Sequence, residues 1–206
     1  MRDVLRSHFL AAAVAFLSFA CSDTPGEDPR RASSSAAVTR GEGGSPFSLD
    51  SALTLFRRDL PKVDSLEDAE SSIDRLIARF TRSVQRSDTA ALRAMVMNRR
   101  EYAYLYYPTS PFTRAPTKQE PGLQWFLHLE HSQKGASRLL REYGGKSFTI
   151  LRNECRPPAR AEGRNVLWDD CRQTIVVGGD TIITRLFGGV YERDGRFKIF
   201  SYSNDL

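Results

Sequence analysis

Two histidines provide the first candidate for chemistry in this chain. In His128-Leu129-Glu130-His131 the spacing of three places both imidazoles on adjacent faces of a helix, where they could begin a metal site. The metalloprotease pattern His-Glu-x-x-His is absent, and no third ligand stands nearby in the sequence. A helical wheel centred on Trp125 turns His131 towards solvent and His128 to the flank. We therefore predict two surface histidines, with no metal and no cofactor.

Tyrosines form the densest aromatic group. Tyr102 and Tyr106 stand among four tyrosines within six residues, and Trp125 follows later. These side chains could line a cavity, because tyrosine combines apolar area with a polar tip. The alternative, which we favour, is that the rings are ordinary core. If a pocket exists, Tyr102, Tyr106 and Trp125 are its candidate lining.

Charged residues within predicted strands are the third candidate. Asp170, Arg172 and Arg185 could point inward, where a carboxylate with a shifted pKa beside an arginine or tyrosine would support acid–base chemistry. Strand parity puts Asp170 and Arg172 on the same face, so a structural ion pair explains them equally well. No Ser-His-Asp order, phosphate-binding glycine loop or heptad stretch is present. We name no catalytic residue.

The first twenty residues have the parts of a signal peptide. Arg2 and Arg6 supply the positive start, and residues 9–20 supply an apolar run that is too short to span a bilayer comfortably. Leu17-Ser18-Phe19-Ala20-Cys21 resembles the bacterial lipobox, with Ser18 and Phe19 where the pattern has leucine and a small residue. We expect Cys21 to carry diacylglycerol and acyl chains such as palmitate. The alternative is ordinary cleavage after Ala20, which leaves a free thiol.

The other two cysteines, Cys155 and Cys171, can pair in an oxidising compartment. They flank a turn-rich segment, residues 156–163, and their own flanks resemble strands. A disulfide across a hairpin is therefore reasonable, and closing a loop of this length stabilises a fold by about 3 kcal/mol on the chain-entropy model. A reactive thiol is the weaker alternative, because no histidine stands nearby in the sequence.

Composition narrows the class of partner. The chain has 206 residues, 40% of them hydrophobic, and a formal net charge of +5 that comes from 25 arginines and 5 lysines against 25 acidic residues. Such a balance could attract nucleic acid or anionic lipid. An exported protein meets little nucleic acid, and several arginines fall on the outer face of one predicted helix. We expect no nucleic-acid partner.

The chain divides into three parts. Residues 1–20 are the predicted signal peptide, residues 21–47 a polar, disordered tether, and residues 48–206 a single domain. Helices are predicted over 48–59, 66–86 with Ser65 as N-cap, 92–97 after a cap at Ser87 or Asp88, and 122–143. Asn98 and Glu101 have the spacing of a capping box, which predicts another helical turn over 102–106.

Strands are predicted over 147–155, 165–177, 181–192 and 196–203, with hairpin turns at 178–180 and 194–195. A two-residue turn at 194–195 places Val190 opposite Ile199, Gly189 opposite Phe200, and Phe187 opposite Tyr202. Helices followed by strands define an α+β class. We expect the N-terminal helices to pack against a curved four-stranded antiparallel sheet.

The pattern Phe80-x-x-x-Val84-x-x-x-Asp88-x-x-x-Leu92 is that of a long helix breaking into a second at an aspartate. With the order of elements over residues 66–206, it resembles the nuclear-transport-factor-2-like superfamily. The resemblance implies a cone-shaped sheet wrapped around a long helix, often with a hollow interior.

These observations support two hypotheses for function. The first is an exported, lipid-anchored protein of the bacterial cell envelope with a non-catalytic domain that binds a small ligand or an envelope protein. The second is an enzyme of the isomerase, dehydratase or hydrolase type with its site inside the cone. We favour the first, in which the partners are a membrane through the lipid, the ligand and a second copy through the outer sheet face. A soluble periplasmic or secreted form is the alternative location.

Overall fold

The computed structural model describes residues 48–157 and 159–206; the predicted signal peptide, lipobox and tether lie outside this part of the chain. Its helices precede its strands, which confirms the α+β class. The helices are α1 (Leu49–Arg57), α2 (Ile73–Gln85), α3 (Thr89–Met95), α4 (Arg99–Glu101) and α5 (Pro121–Tyr143). Between α4 and α5 lie a π-helical turn, Tyr102–Tyr106, and two 3-10 turns, Tyr107–Thr109 and Pro111–Thr113.

The strands form two antiparallel sheets, not the one four-stranded sheet predicted. They are β1 (Phe148–Glu154), β2 (Arg160–Glu162), β3 (Asn165–Asp169), β4 (Arg172–Val177), β5 (Asp180–Thr184), β6 (Gly189–Arg193) and β7 (Arg196–Ser201). One sheet has the order β1-β4-β5 and the other the order β2-β3-β6-β7.

The two sheets arise because two predicted strands are interrupted. The strand predicted over 165–177 breaks at Asp170, whose φ of 48° is left-handed, and the strand predicted over 181–192 breaks over 185–188. Each half then pairs in a different sheet, β3 with β6 and β4 with β5. Strand β2 lies in the segment that we predicted as a turn.

Helix α2 begins later than its apolar stripe predicts. Its N-cap is Ser72 and not Ser65. The segment before it is non-helical, because Asp68 has a φ of 50° and Glu70 exchanges two backbone hydrogen bonds with Phe197 of β7, at 3.0 and 2.8 Å. Leu66 is buried although it does not lie in a helix. Its segment pairs with the edge of β7 instead, so the helical spacing of its apolar residues does not produce a helix here.

Several local predictions are confirmed. Helix α1 lies within the predicted range 48–59, Asp88 caps α3, and both halves of the capping box between Asn98 and Glu101 are formed. The β6–β7 hairpin places Val190 opposite Ile199, as expected from a two-residue turn. Beyond that pair a bulge shifts the register, so Gly189 pairs with Ser201 and not with Phe200.

The core has two clusters. One packs α2, α3 and α5 against the sheets and includes Phe80, Phe187 and Tyr202. The other packs α1 and the π-helical turn against β3 and β6 and contains most of the tyrosines, including Tyr102 and Tyr191. The interpretation of the tyrosines as core is correct for their rings.

The disulfide between Cys155 and Cys171 is confirmed. Cys155 follows β1 and Cys171 precedes β4, and these two strands pair with each other. The bond therefore clamps one end of the β1–β4 ladder and closes the loop that carries β2 and β3.

Loss of this disulfide is expected to lower the free energy of unfolding by about 3 kcal/mol, because the unfolded chain regains the freedom of the closed loop. Urea denaturation of the Cys155→Ser/Cys171→Ser variant measures the change. Wild-type protein under a reducing agent should match the variant. Equal stability with and without the reductant would contradict a structural role for the bond.

Candidate functional site

Two adjoining cavities lie between α5 and the second sheet. The first has a volume of about 360 Å³ and a largely aromatic wall that includes Tyr102, Tyr106 and Phe112. The second has a volume of about 250 Å³ and a polar wall that includes Arg185 and Ser203. We call them the aromatic cavity and the polar cavity, and together the groove. Four residues line both: His128, His131, Asp169 and Phe200.

A larger cavity of about 460 Å³ lies between α2 and β1. None of the buried, unpartnered polar atoms found in the described residues belongs to its lining. Two residues of the groove lining carry such an atom, His128 at Nε2 and Arg185 at Nε. Buried polar groups without partners are rare in folded proteins, so the groove is the stronger candidate for a functional site.

The orientation of α5 decides which side chains reach the groove. Its buried positions include Gln124, Ser132, Gly135 and Leu139. The apolar spacing of residues 122–143 predicts Ser132, Ala136 and Leu140 on this face; Ser132 is buried as predicted, but Gly135 and Leu139 take the places of Ala136 and Leu140, which are only partly buried. Gly135 is buried because it has no Cβ, so the backbone carbonyl of Tyr202 can approach the helix closely. A Cβ at this position would overlap that carbonyl.

His128 lies on the flank of α5, as the helical wheel predicts, but its ring faces the groove and its Nε2 is buried, so the interpretation of this residue as a surface histidine is wrong. His131 is exposed, as predicted, and stands at the rim of both cavities. The His128 ring lies 4.7 Å from the Phe200 ring, 5.5 Å from that of Tyr102 and 5.6 Å from that of Trp125, between ring centres. The imidazole is therefore enclosed by aromatic rings from three separate elements.

Burial sets the charge and tautomer of His128. Desolvation lowers the pKa of the imidazole to about 4, and a hydrogen bond to the Phe200 backbone opposes this shift only in part. The ring is therefore neutral near pH 7. Nε2 is buried and has no hydrogen-bond partner in the described part of the chain. We assign the hydrogen to Nδ1, because the Phe200 backbone raises the pKa of the ring and Nε2 has no partner; in this tautomer Nε2 is an acceptor.

Acid is expected to destabilise the protein through His128. Between pH 6.5 and about 4 the unfolded chain binds a proton at this residue that the folded protein does not. Stability is therefore complete above this range and falls as the pH drops through it, by up to about 3 kcal/mol. From pH 7 to pH 4.5, the free energy of unfolding measured in urea should fall by about 2 kcal/mol less for His128→Phe than for wild type. The same pH dependence in both proteins would show that the ring is solvated.

The π-helical turn places Tyr102 and Tyr106 in the aromatic cavity. Its wide turn is closed by the Tyr107 backbone N–H, which donates to the Tyr102 carbonyl. Tyr102 contacts the rings of Tyr106 at 5.3 Å and Trp125 at 5.2 Å. Burial raises the pKa of both cavity tyrosines well above the ordinary value, so their hydroxyls stay protonated. Single π turns occur frequently at functional sites.

The charged residues predicted for the pocket are only partly in the groove. Asp170 forms a surface ion pair with Arg156 at 2.7 Å, with Arg172 at 3.9 Å and Arg185 at 4.0 Å from its other oxygen. The hydrogen bond from Arg156 lowers the pKa of the Asp170 carboxyl. Of the predicted set, Arg185 lines the polar cavity, whereas the neighbouring Asp169 takes the place expected for Asp170. The structural interpretation of Asp170 and Arg172 is the better one.

Two buried acidic groups escaped the sequence analysis. Glu162 on β2 is nearly enclosed, and its Oε2 has no partner among the residues described; burial raises the pKa of this carboxyl. Glu101 is fully buried and pairs with Lys198 at 2.9 and 3.0 Å. For Glu101 the sequence offered one signal, through its partner Lys198. In the β6–β7 hairpin Lys198 stands opposite the buried Tyr191, so strand alternation turns its side chain inward.

Protein-family models, curated proteins and solved structures provide no match to this chain. Within residues 48–157 and 159–206, no three histidine, cysteine, aspartate or glutamate side chains are grouped so that they could hold a metal ion. No helix in the same part of the chain is long and apolar enough to cross a membrane.

Proposed function

We propose that this is an exported envelope protein, anchored by a lipid on Cys21, whose domain binds a small and largely apolar molecule in the groove. The observation that carries the proposal is the imidazole of His128, whose Nε2 has no partner among the described residues and whose ring lies among aromatic rings where two cavities meet. Ligand sites in proteins are concave and mostly apolar, with a few placed polar groups. The groove has this composition.

Export and anchoring are supported by the N-terminal sequence and by the disulfide, since such bonds persist in oxidising compartments. Mass spectrometry of the mature N-terminus tests the anchor. Cys21 with added acyl mass would support it, and an unmodified Cys21 at the N-terminus would refute it.

We also infer that the fold is a cone of the nuclear-transport-factor-2-like type. Support comes from the break between α2 and α3 with a cap at Asp88, and from two chain segments, 165–177 and 180–193, whose halves pair in different sheets. In this view α5 lies across the opening of the cone, and the groove is its mouth.

Binding in the groove is tested by a pair of substitutions on α5. Leu127 lines the aromatic cavity and is 39% exposed, whereas Leu123 is 50% exposed and lies outside both groove linings. Leu127→Arg places a charged side chain at the cavity wall and should weaken binding of an apolar ligand at least about tenfold, or about 1.4 kcal/mol. Leu123→Arg should leave the affinity unchanged.

The signal for this experiment comes from Trp125, whose ring contacts both Tyr102 and His128. A Trp168→Phe background removes the second tryptophan, so a screen of small ring compounds reports on the groove through one fluorophore. Equal loss of affinity in the two arginine variants would place the binding site elsewhere.

A second candidate function, acid–base catalysis, is favoured by one observation. Glu162 Oε1 accepts from Arg160 of the aromatic cavity lining at 3.0 Å, and burial raises the pKa of the Glu162 carboxyl, which in turn raises the pKa of Tyr106. If the protein is an enzyme, a compound bound in the groove should be converted, and Glu162→Gln should abolish the conversion while retaining affinity. Recovery of unchanged ligand from wild-type protein would leave binding as the function.

A further inference from the structure

Two residues that line the polar cavity carry buried polar atoms of opposite hydrogen-bonding character. His128 Nε2 accepts, and Arg185 Nε donates; neither has a partner among the described residues, and both residues line the polar cavity. Buried polar atoms without hydrogen-bond partners destabilise a fold. At a functional site they indicate a ligand group that supplies the partner.

The charges around the polar cavity are already balanced. Arg185 Nη1 lies 3.4 Å from Asp205 Oδ1 and 4.0 Å from Asp170 Oδ1. Asp169 also lines the cavity, and His128 is neutral near pH 7. Asp169 is paired with Arg160 of the groove lining at 3.2 Å, so a carboxylate or phosphate would meet a lone pair on His128 and arginines whose charge is already compensated. The two atoms without hydrogen-bond partners therefore favour an uncharged ligand.

The neighbouring aromatic cavity indicates what the rest of the ligand is. Its wall includes the rings of Tyr102, Tyr106, Phe112 and Phe200, and it joins the polar cavity at His128. Ring faces and edges of this kind pack well against a flat apolar body. The volumes of about 360 and 250 Å³ suit a molecule of drug-like size.

We propose, on the basis of the proposed binding function, that the groove takes an uncharged, flat ring compound that bears a primary amide or an equivalent donor–acceptor group. The ring occupies the aromatic cavity. The amide N–H donates to His128 Nε2, and its carbonyl accepts from Arg185 Nε. Both protein atoms are closed to solvent in the free protein, so a wall side chain must move to admit the amide. The exposed His131 is the wall residue with room to do so.

Three naphthalene compounds test the proposal on the full chain carrying Cys21→Ser, which prevents lipidation. 2-Naphthamide offers both donor and acceptor, N,N-dimethyl-2-naphthamide offers only the acceptor, and 2-naphthoate is an anion. Isothermal titration calorimetry should show 2-naphthamide binding at least about tenfold more tightly than either of the others, a difference of about 1.4 kcal/mol.

Two variants assign the preference to the named atoms. His128→Phe keeps a ring but removes the acceptor, and Arg185→Lys keeps the charge but removes the Nε donor; each should reduce the preference to less than about threefold. Arg141→Lys, at an exposed position on α5 outside the groove, should retain it. Thermal unfolding of each variant confirms that it is folded.

The outcomes separate this proposal from the function on which it rests. Equal affinity for the two amides, or tightest binding of 2-naphthoate, would overturn the donor–acceptor inference while leaving the groove as a binding site. Failure of all three compounds to bind would overturn both.

Discussion

Replacement of Lys198 by methionine is expected to lower the free energy of unfolding by about 3–5 kcal/mol, the cost typical of breaking a buried ion pair by removing one partner. The side chains of Lys198 and Glu101 are 1% and 0% exposed, and both carboxylate oxygens accept from Nζ, at 2.9 and 3.0 Å. Methionine fills a similar volume but leaves the Glu101 carboxylate in the core without its cation. The effect is thus one of charge rather than of packing.

Urea denaturation measures this effect, and Lys134→Met provides the control. Lys134 pairs with Glu130 at a similar distance, 2.9 Å, but on the exposed surface of α5. Its loss should change stability by no more than about 0.5 kcal/mol, because solvent screens such pairs. A loss below about 1 kcal/mol for Lys198→Met would mean that water reaches Glu101 in solution.

The buried pair also supports the groove. Glu101 immediately precedes Tyr102, and Lys198 stands two residues before Phe200 on β7, so the pair ties together the segments that carry two walls of the aromatic cavity. Glu101 further accepts from the backbone N–H groups of Glu67 and Asn98, at 2.8 and 2.9 Å. Loss of Lys198 is therefore expected to weaken ligand binding as well as the fold.

Substitution of Gly135 by alanine is expected to cost about 4 kcal/mol, above the usual range for an added methyl group. A Cβ at this position would overlap the backbone carbonyl of Tyr202. The neighbouring segment cannot shift freely, because the Tyr202 N–H donates to Ser132 Oγ and Asn204 Nδ2 donates to the Gly135 carbonyl. The clash is thus with backbone that is fixed on both sides.

Gly122→Ala on the same helix is the matched control. Its Cβ would meet only the flexible carboxyl of Glu120, at 3.1 Å. Alanine has the higher helix propensity, so this variant should lie within about 1 kcal/mol of wild type or be more stable. Thermal and urea unfolding distinguish the two variants directly. Similar small effects for both would mean that α5 does not pack on the C-terminal segment as described.

The elements that local chemistry specifies were predicted from the sequence. Asp88 caps α3, and Asn98 with Glu101 forms the capping box, because each bond spans only a few residues. The turn at Asp194 and Gly195 sets the first pairs of the β6–β7 hairpin for the same reason. The cysteine count and spacing predicted the disulfide.

Contacts between distant segments decided the rest. Pairing of Glu70 with Phe197 shortened α2, and a left-handed Asp170 divided a strand between two sheets; neither depends on local propensity. The groove shows this most clearly. The sequence put His128 on the flank of α5 and gave no reason to bury Gly135, because hydropathy gives no weight to a glycine. The carbonyl of Tyr202, 67 residues from Gly135 in the chain, selects the buried face of α5 and so brings His128 among the rings. Helical period fixes which residues share a face, and only tertiary packing fixes which face is buried.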